Sequence, residues 1–281
     1  MTADNQPPVH ELTPEWAAPA GVHATFTLRS GGVSGAPFDS FNLGDHVRDA
    51  PDAVAHNRQQ LARRLGARPV FLQQVHGTDV VPLGPETPDG AAGDACITTQ
   101  RGIACTIMVA DCLPVLFTHR SGAVVAAAHA GWRGLAGDGQ GRGVLETTLD
   151  ALIAAVCSQQ PGRSAAEVAA DVKVWLGPCI GPSAFEVGPE VREAFVGQRP
   201  EAAACFRQSP GAAAAVSGKW LADLAGLARQ RLRARQVTDI EGNDSTIAWC
   251  TVENPLKFFS HRRDAARLGS TGRMAASIWI A

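Results

Sequence analysis

Three residues of this chain have side chains suited to gripping a metal ion: His76, Cys112 and His129. Two imidazoles and a thiolate suit zinc, and ligand type alone also admits copper. Three protein ligands leave a fourth position for water or substrate, the pattern of a catalytic rather than a structural zinc. The same residues support a metal-free reading. Cys112 would be a nucleophile, His129 its base and His76 a group that orients substrate, as in a Cys–His hydrolase. Each residue alone is unremarkable: a histidine at a strand end, or a cysteine acting as a small core residue.

Other catalytic signatures fit less well. His-Glu-x-x-His is absent, as is the zinc-deaminase pattern of His-x-Glu with Pro-Cys-x-x-Cys. The glycines of GDGQGRG match neither a dinucleotide fingerprint nor a P-loop, so that stretch reads as a loop before a helix. SGGVSG lacks the Gly-x-Ser-x-Gly spacing of a hydrolase elbow.

The three candidate ligands must be held by rigid elements, and the hydrophobic pattern supplies them. Residues 110–134 read as two apolar strands around a turn at 120–122, with Cys112 opening one strand and His129 closing the other. Residues 70–77 read as a strand ending on His76. Further strands are expected at 22–29, 94–99, 172–176, 247–252 and 275–281. Helical spacing marks 52–66, with Asp52 as cap and Gly66 as stop. It also marks 143–158, 188–195 and 218–237, with Pro189 in the first turn of the third. SPGAAAAVSG, 209–218, reads as a loop or helix lead-in. Strands pair with sequence neighbours as well as alternating with helices. The fold class is therefore α+β: a single domain of layered mixed or antiparallel sheets flanked by helices, after a polar N-terminal lead-in at 1–21.

The chain has 281 residues, 45% hydrophobic, enough for a substantial core. Its net charge of -2 gives no overall electrostatic footprint for nucleic acid or an anionic membrane. No apolar run is long enough to span a bilayer, and the N-terminus is not patterned as a secretory signal, so a cytoplasmic location is expected. The seven cysteines are odd in number and irregularly spaced, which argues against a disulfide framework.

A set of ordered motifs resembles one family. LRSGGVS, FNLGDHV, Asn57-Arg58, QQVHGTDV, ADCLPV, HAGWRG, LGPCIGPSAFEVG and FFSHRRD followed by TGR run from about residue 25 to the C-terminus. Together they resemble the laccase-domain family, described as YfiH-type purine nucleoside phosphorylases and earlier as multicopper polyphenol oxidases. His261 stands where many relatives carry Tyr. The resemblance implies a zinc site of His76, Cys112 and His129 and a layered α+β fold. It implies phosphorolysis of adenosine, inosine, guanosine and methylthioadenosine, with adenosine deamination. The implied partners are purine nucleosides and phosphate; charge and hydropathy lead to the expectation of no nucleic acid or membrane, and a monomer or homodimer is expected. Some relatives are linked to peptidoglycan-precursor editing, and the fold resembles that of Cys–His deamidase toxins. These keep the hydrolase or amidase reading open beside a copper polyphenol oxidase.

Phosphorolysis needs phosphate near the sugar anomeric carbon and tolerance of positive charge on the sugar. Guanidinium forks hold phosphate through two oxygens. Arg29, Arg58, Arg133 and Arg262 have motif context, with Arg29 and Arg133 foremost because each adjoins a glycine turn. Gln74 and Asn42 are candidates for reading a purine edge or a ribose hydroxyl. Strand alternation puts Asp111 on the opposite face from Cys112. Trp132 offers a flat wall for a base, and Cys179 reads as a packed residue under a turn. A blue-copper site would want an axial Met, and Met108 is the only one near the trio in sequence.

Overall fold

The computed structural model describes residues 10–210 and 218–281. Its centre is a hairpin of β7 (Leu113–His119) and β8 (Val125–Ala130), paired antiparallel with Pro114 opposite His129. Every residue of both strands is buried. The alternation of side chains explains why. Val115, Phe117, Ala126 and Ala128 face one apolar layer, whereas Leu116, Val125 and Ala127 face another.

The first layer is helical. α3 (Val144–Gln159) packs its leucines against the hairpin, and a helix at Leu224–Ala234 packs against α3 within the same apolar layer. The second layer is a five-stranded sheet in the order β1 (Glu11–Leu12), β2 (Val22–Thr27), β14 (Met274–Ile280), β6 (Ile103–Val109) and β3 (Arg68–Phe71). The hairpin lies within a six-stranded sheet, ordered β13 (Asp239–Gly242), β9 (Val172–Leu176), β7, β8, β5 (Ala95–Thr98) and β4 (Val80–Pro82). The outer face of the five-stranded sheet is covered by α1 (Pro51–Leu65), through Leu61 and Leu65. Each such fully buried aliphatic side chain contributes roughly 1.5–3 kcal/mol. Parallel pairs (β3 with β6, β4 with β5, β9 with β13) sit beside antiparallel ones, so both large sheets are mixed.

Several local expectations are corrected. Ala50, not Asp52, occupies the cap position of α1, with Pro51 opening the helix and Asp52 in its first turn. Gly66 does stop it, at φ 61°. The stretch 218–237 divides into a strand, Trp220–Ala222, and the helix Leu224–Ala234, because Asp223 caps that helix through the Gly226 amide. Residues 247–252 form no strand; Ile247–Trp249 is a 3-10 turn, and the backbone of Cys250 pairs with that of Cys179 in a single parallel β-bridge, both thiols being free. Short helices at Trp132–Ala136 (α2) and Ala165–Ala170 (α4) had no periodic signal of their own. Within the N-terminal stretch, Glu11–Leu12 pairs antiparallel with β2. Most of SPGAAAAVSG lies outside the described residues.

Candidate metal centre and cleft

Cys112 immediately precedes β7, and His129 is the next-to-last residue of β8. Strand alternation turns both toward the space between the sheets. His76 arrives differently. Strand β3 ends at Phe71, so His76 is not at a strand end but in a loop, with φ 62°. That left-handed conformation is uncommon for a side chain with a Cβ and is held by local contacts. The amides of Val75, His76 and Gly77 all donate to the carboxylate of Asp94, at 3.1, 2.9 and 2.6 Å. Successive amides wrapped around an anion in this way form a nest, here filled by a side chain of the protein itself.

Asp94 also binds the Nδ1 of His129 at 2.8 Å. That bond leaves the Nε2 nitrogen of His129 for a ligand, the usual role of a carboxylate behind a metal-binding histidine. The candidate ligand atoms of His76, Cys112 and His129 all lie within 4.8 Å of one another. Cys112 Sγ is 3.7 Å from His76 Nε2, and the two imidazole rings meet edge to face with centroids 4.8 Å apart. Burial opposes charge on Cys112, but His129 and His76 outweigh it and draw the thiol down to about 6. Burial likewise opposes charge on His129, but Cys112 and Asp94 push it up to about 9.

The donor set fits a zinc ion, and so does the space. A Cβ on Gly131 would stand 2.7 Å from His76 Cδ2 and 3.0 Å from Cys112 Sγ, filling the cradle between the ligands. A Cβ on Gly134 would meet the Gly77 carbonyl at 2.7 Å. Two glycines of HAGWRG thus let α2 approach the His76 loop closely. Met108, the one methionine considered for an axial copper position, has its sulfur 3.9 Å from the Arg58 guanidinium.

The trio lines a cleft of about 810 Å³. Arg58, Arg133, Arg262 and Arg273 line it as well, against two carboxylates, Asp45 and Asp111. Arg133 is stacked on Trp132 at 4.5 Å, and Arg262 lies over Phe185 at 5.8 Å. Arg58 stacks on Phe71 at 4.1 Å, donates to the Leu43 carbonyl and pairs with Asp45 at 3.2 Å.

The other sequence candidates are engaged elsewhere. Arg29 does not line the cleft. Its guanidinium binds Asp39 and the Pro255 carbonyl and stacks on Phe259 at 4.7 Å. Asn42 is fully buried, its amide committed to Gly44, Asp49 and the Arg273 amide. Gln74 reaches the cleft, but both its polar atoms pair with the backbone of Met108 at 2.8 Å, mimicking one more ladder position of β6. Asp111, at φ 90°, accepts from the Thr251 hydroxyl at 2.5 Å and the Arg262 amide at 2.6 Å. It ties the turn before Cys112 to the start of the helix His261–Leu268. Cys179 is buried beneath its turn.

Asp45, His46, Asp94, Phe185 and Arg273 are site residues that were not singled out from the sequence. The signal for Asp94 was a carboxylate directly before a buried strand. His46 and Arg273 stood unexplained inside FNLGDHV and TGR.

Comparison with known proteins agrees with this architecture. Residues 23–281 match a family model described as multi-copper polyphenol oxidoreductase laccase. A Pseudomonas aeruginosa protein named purine nucleoside phosphorylase PA4543 is 49% identical over 269 residues, 96% of this chain and 98% of that protein. Purine nucleoside phosphorylase YfiH of Escherichia coli is 45% identical over 271 residues, with the same coverage. The crystal structure of Neisseria meningitidis protein NMB0706 superposes with a TM-score of 0.80 at 43% identity, covering 97% of this chain and 99% of that one.

Proposed function

Because this chain belongs to the multi-copper polyphenol oxidoreductase laccase family, with relatives named purine nucleoside phosphorylase, we propose that it is a zinc-dependent purine nucleoside phosphorylase. Its substrates are adenosine, inosine, guanosine and methylthioadenosine with phosphate, and it also deaminates adenosine. The observation that carries this reading is the meeting of His76, Cys112 and His129 in a cleft rich in guanidinium groups.

When bound, zinc supplies a Lewis acid with one position open to substrate or water. The chain's own residues supply the rest. Asp94 holds His129 in one tautomer and the His76 loop in one conformation. Arg133 and Arg262, set over the rings of Trp132 and Phe185, offer planar forks to phosphate oxygens. The same aromatic rings give apolar surface for a purine. Four guanidiniums against two carboxylates make the cleft attractive to an anionic co-substrate. The position of the Met108 sulfur against Arg58 speaks against a blue-copper centre. The seven unpaired thiols suit a reducing, cytoplasmic setting.

Incubating the metal-loaded protein with adenosine, with and without phosphate, tests the reading. Phosphate-dependent release of adenine with ribose 1-phosphate is expected, and inosine in either condition reports deamination. Absence of both products rejects it. C112S is expected to lose stoichiometric zinc and turnover. Amide-hydrolysing activity that survives full chelation but not C112S would transfer the assignment to a thiol nucleophile.

A further inference from the structure

Two motifs, FNLGDHV and TGR, remain without a role in this account, and the fold brings them together. The Arg273 amide donates to Asn42 Oδ1 at 2.8 Å, and the Leu43 amide donates to the Arg273 carbonyl at 3.1 Å. A Cβ on Gly44 would collide with Arg273 Cγ at 2.7 Å, so the arginine stem lies directly on the backbone of the FNLG turn. Buried Asn42 therefore acts as a bracket that seats Arg273, His46 and Arg58 along one stretch of the cleft wall.

The charges on that stretch do not balance. Asp45 neutralises Arg58 at 3.2 Å and contacts His46 at 3.5 Å. Arg273 has no carboxylate partner among the described residues. Its guanidinium donates from one terminal nitrogen to the carbonyls of Thr271 and Gly272, at 3.0 and 3.2 Å. Burial pulls its pKa below the ordinary guanidinium value, against the opposing pull of Cys112 and Asp111. A partly buried cation with no carboxylate in direct ion-pair contact, facing a cleft, is stabilised further when an anion arrives. Its fork suits two oxygens of one tetrahedral group.

We propose that Arg273, flanked by Arg58 and His46, forms a subsite for a phosphate oxyanion. This rests on the phosphorolytic reading above and adds Arg273 to the phosphate contacts offered there by Arg133 and Arg262, while Arg29 lies outside the cleft. The oxyanion is either free orthophosphate or the phosphate group of a nucleoside monophosphate.

Calorimetric titration of the metal-loaded full chain separates the sources and needs no turnover. Orthophosphate, adenosine and adenosine 5'-monophosphate are titrated into the wild type, R273Q and R273K. For free phosphate, R273Q weakens orthophosphate binding by about 10- to 100-fold, the scale of a lost charged hydrogen-bond pair. R273K recovers part of it, because an ammonium keeps the charge but not the fork. For an esterified phosphate, the preference for the monophosphate over adenosine disappears in R273Q instead. If folded R273Q and R273K bind both anions as tightly as the wild type, or the wild type binds neither, the subsite is rejected. Failure of the phosphorylase reading would look different: Arg273-dependent anion binding would persist with no phosphate-dependent release of purine.

Discussion

Asp94 and His129 are joined by a buried 2.8 Å hydrogen bond, and the same Asp94 oxygen accepts the amide of His76 at 2.9 Å. One carboxylate thus sets the positions of both histidines, although they lie on separate segments of the chain. Asp94 itself is fully buried. Its pKa is lowered: burial raises it, but His129 and the amides of Gly77 and Val75 together outweigh that effect.

D94N keeps the volume and removes the charge that gathers these donors. Its amide nitrogen faces donors where an acceptor is required. Metal affinity is expected to fall about 10- to 100-fold, as for other lost partners of ligating histidines. Competition with a chromophoric chelator measures this directly. Unchanged affinity would show that the ligands hold their places unaided.

Gly131 gives a steric test. G131A places a methyl 2.7 Å from the His76 ring and 3.0 Å from the Cys112 sulfur. The Gly131 backbone has ordinary extended angles, φ -68° and ψ 162°, so the local conformation tolerates alanine. The variant is expected to fold, with destabilisation of about 1–3 kcal/mol from overpacking, and to lose stoichiometric metal. Elemental analysis beside a thermal melt separates the two effects.

Arg29 and Arg133 should respond in opposite ways. R29Q removes an ion pair, two carbonyl contacts and a stacking contact distant from the cleft. It should lower the melting temperature and leave the phosphate KM unchanged below the transition. R133Q removes an exposed cation stacked on Trp132, so it should change stability by no more than about 0.5 kcal/mol. It should raise the phosphate or nucleoside KM. Equal kinetic effects from both substitutions would contradict this assignment.

Asp264 sets an acid limit on stability. Burial raises its pKa, but two hydrogen bonds from Arg263, at 2.9 and 2.7 Å, and the charge of Arg263 bring it below the ordinary carboxylate value. A carboxylate with a depressed folded pKa stabilises the fold above its unfolded pKa, about 3.9. That contribution fades as pH falls through the lower, folded value. D264N should therefore be less stable than the wild type at pH 6, by about 1–3 kcal/mol, and the gap should narrow toward pH 3. Denaturant titrations at the two pH values give the comparison.

The central hairpin was legible in the sequence because both of its faces are buried, which yields an unbroken apolar run with polar residues only at its mouth. The candidate ligand trio was picked out by residue type. The loop carrying His76 read as strand because Leu72 and Val75 continue the apolar pattern of β3, while the Asp94 nest that bends the chain is eighteen residues away. Contacts of that kind leave no local periodicity. Arg29 and Asn42 were over-read for the same reason: a polar residue beside a glycine turn looks the same whether it serves a ligand or the turn. Arg273 was passed over because its isolation shows only once the partners of the other arginines are known.

The layers on either side of the β7–β8 hairpin give the metal cradle a fixed jaw and a movable one. Cys112 abuts the first residue of β7 and His129 lies within β8, so both are anchored to the fully buried hairpin. His76 rides on an exposed loop fastened by three backbone hydrogen bonds to Asp94, so releasing it would break fewer contacts than parting the hairpin. An ion would therefore enter and leave on the His76 side, past Val75, while the hairpin keeps its two ligands aligned for the next one.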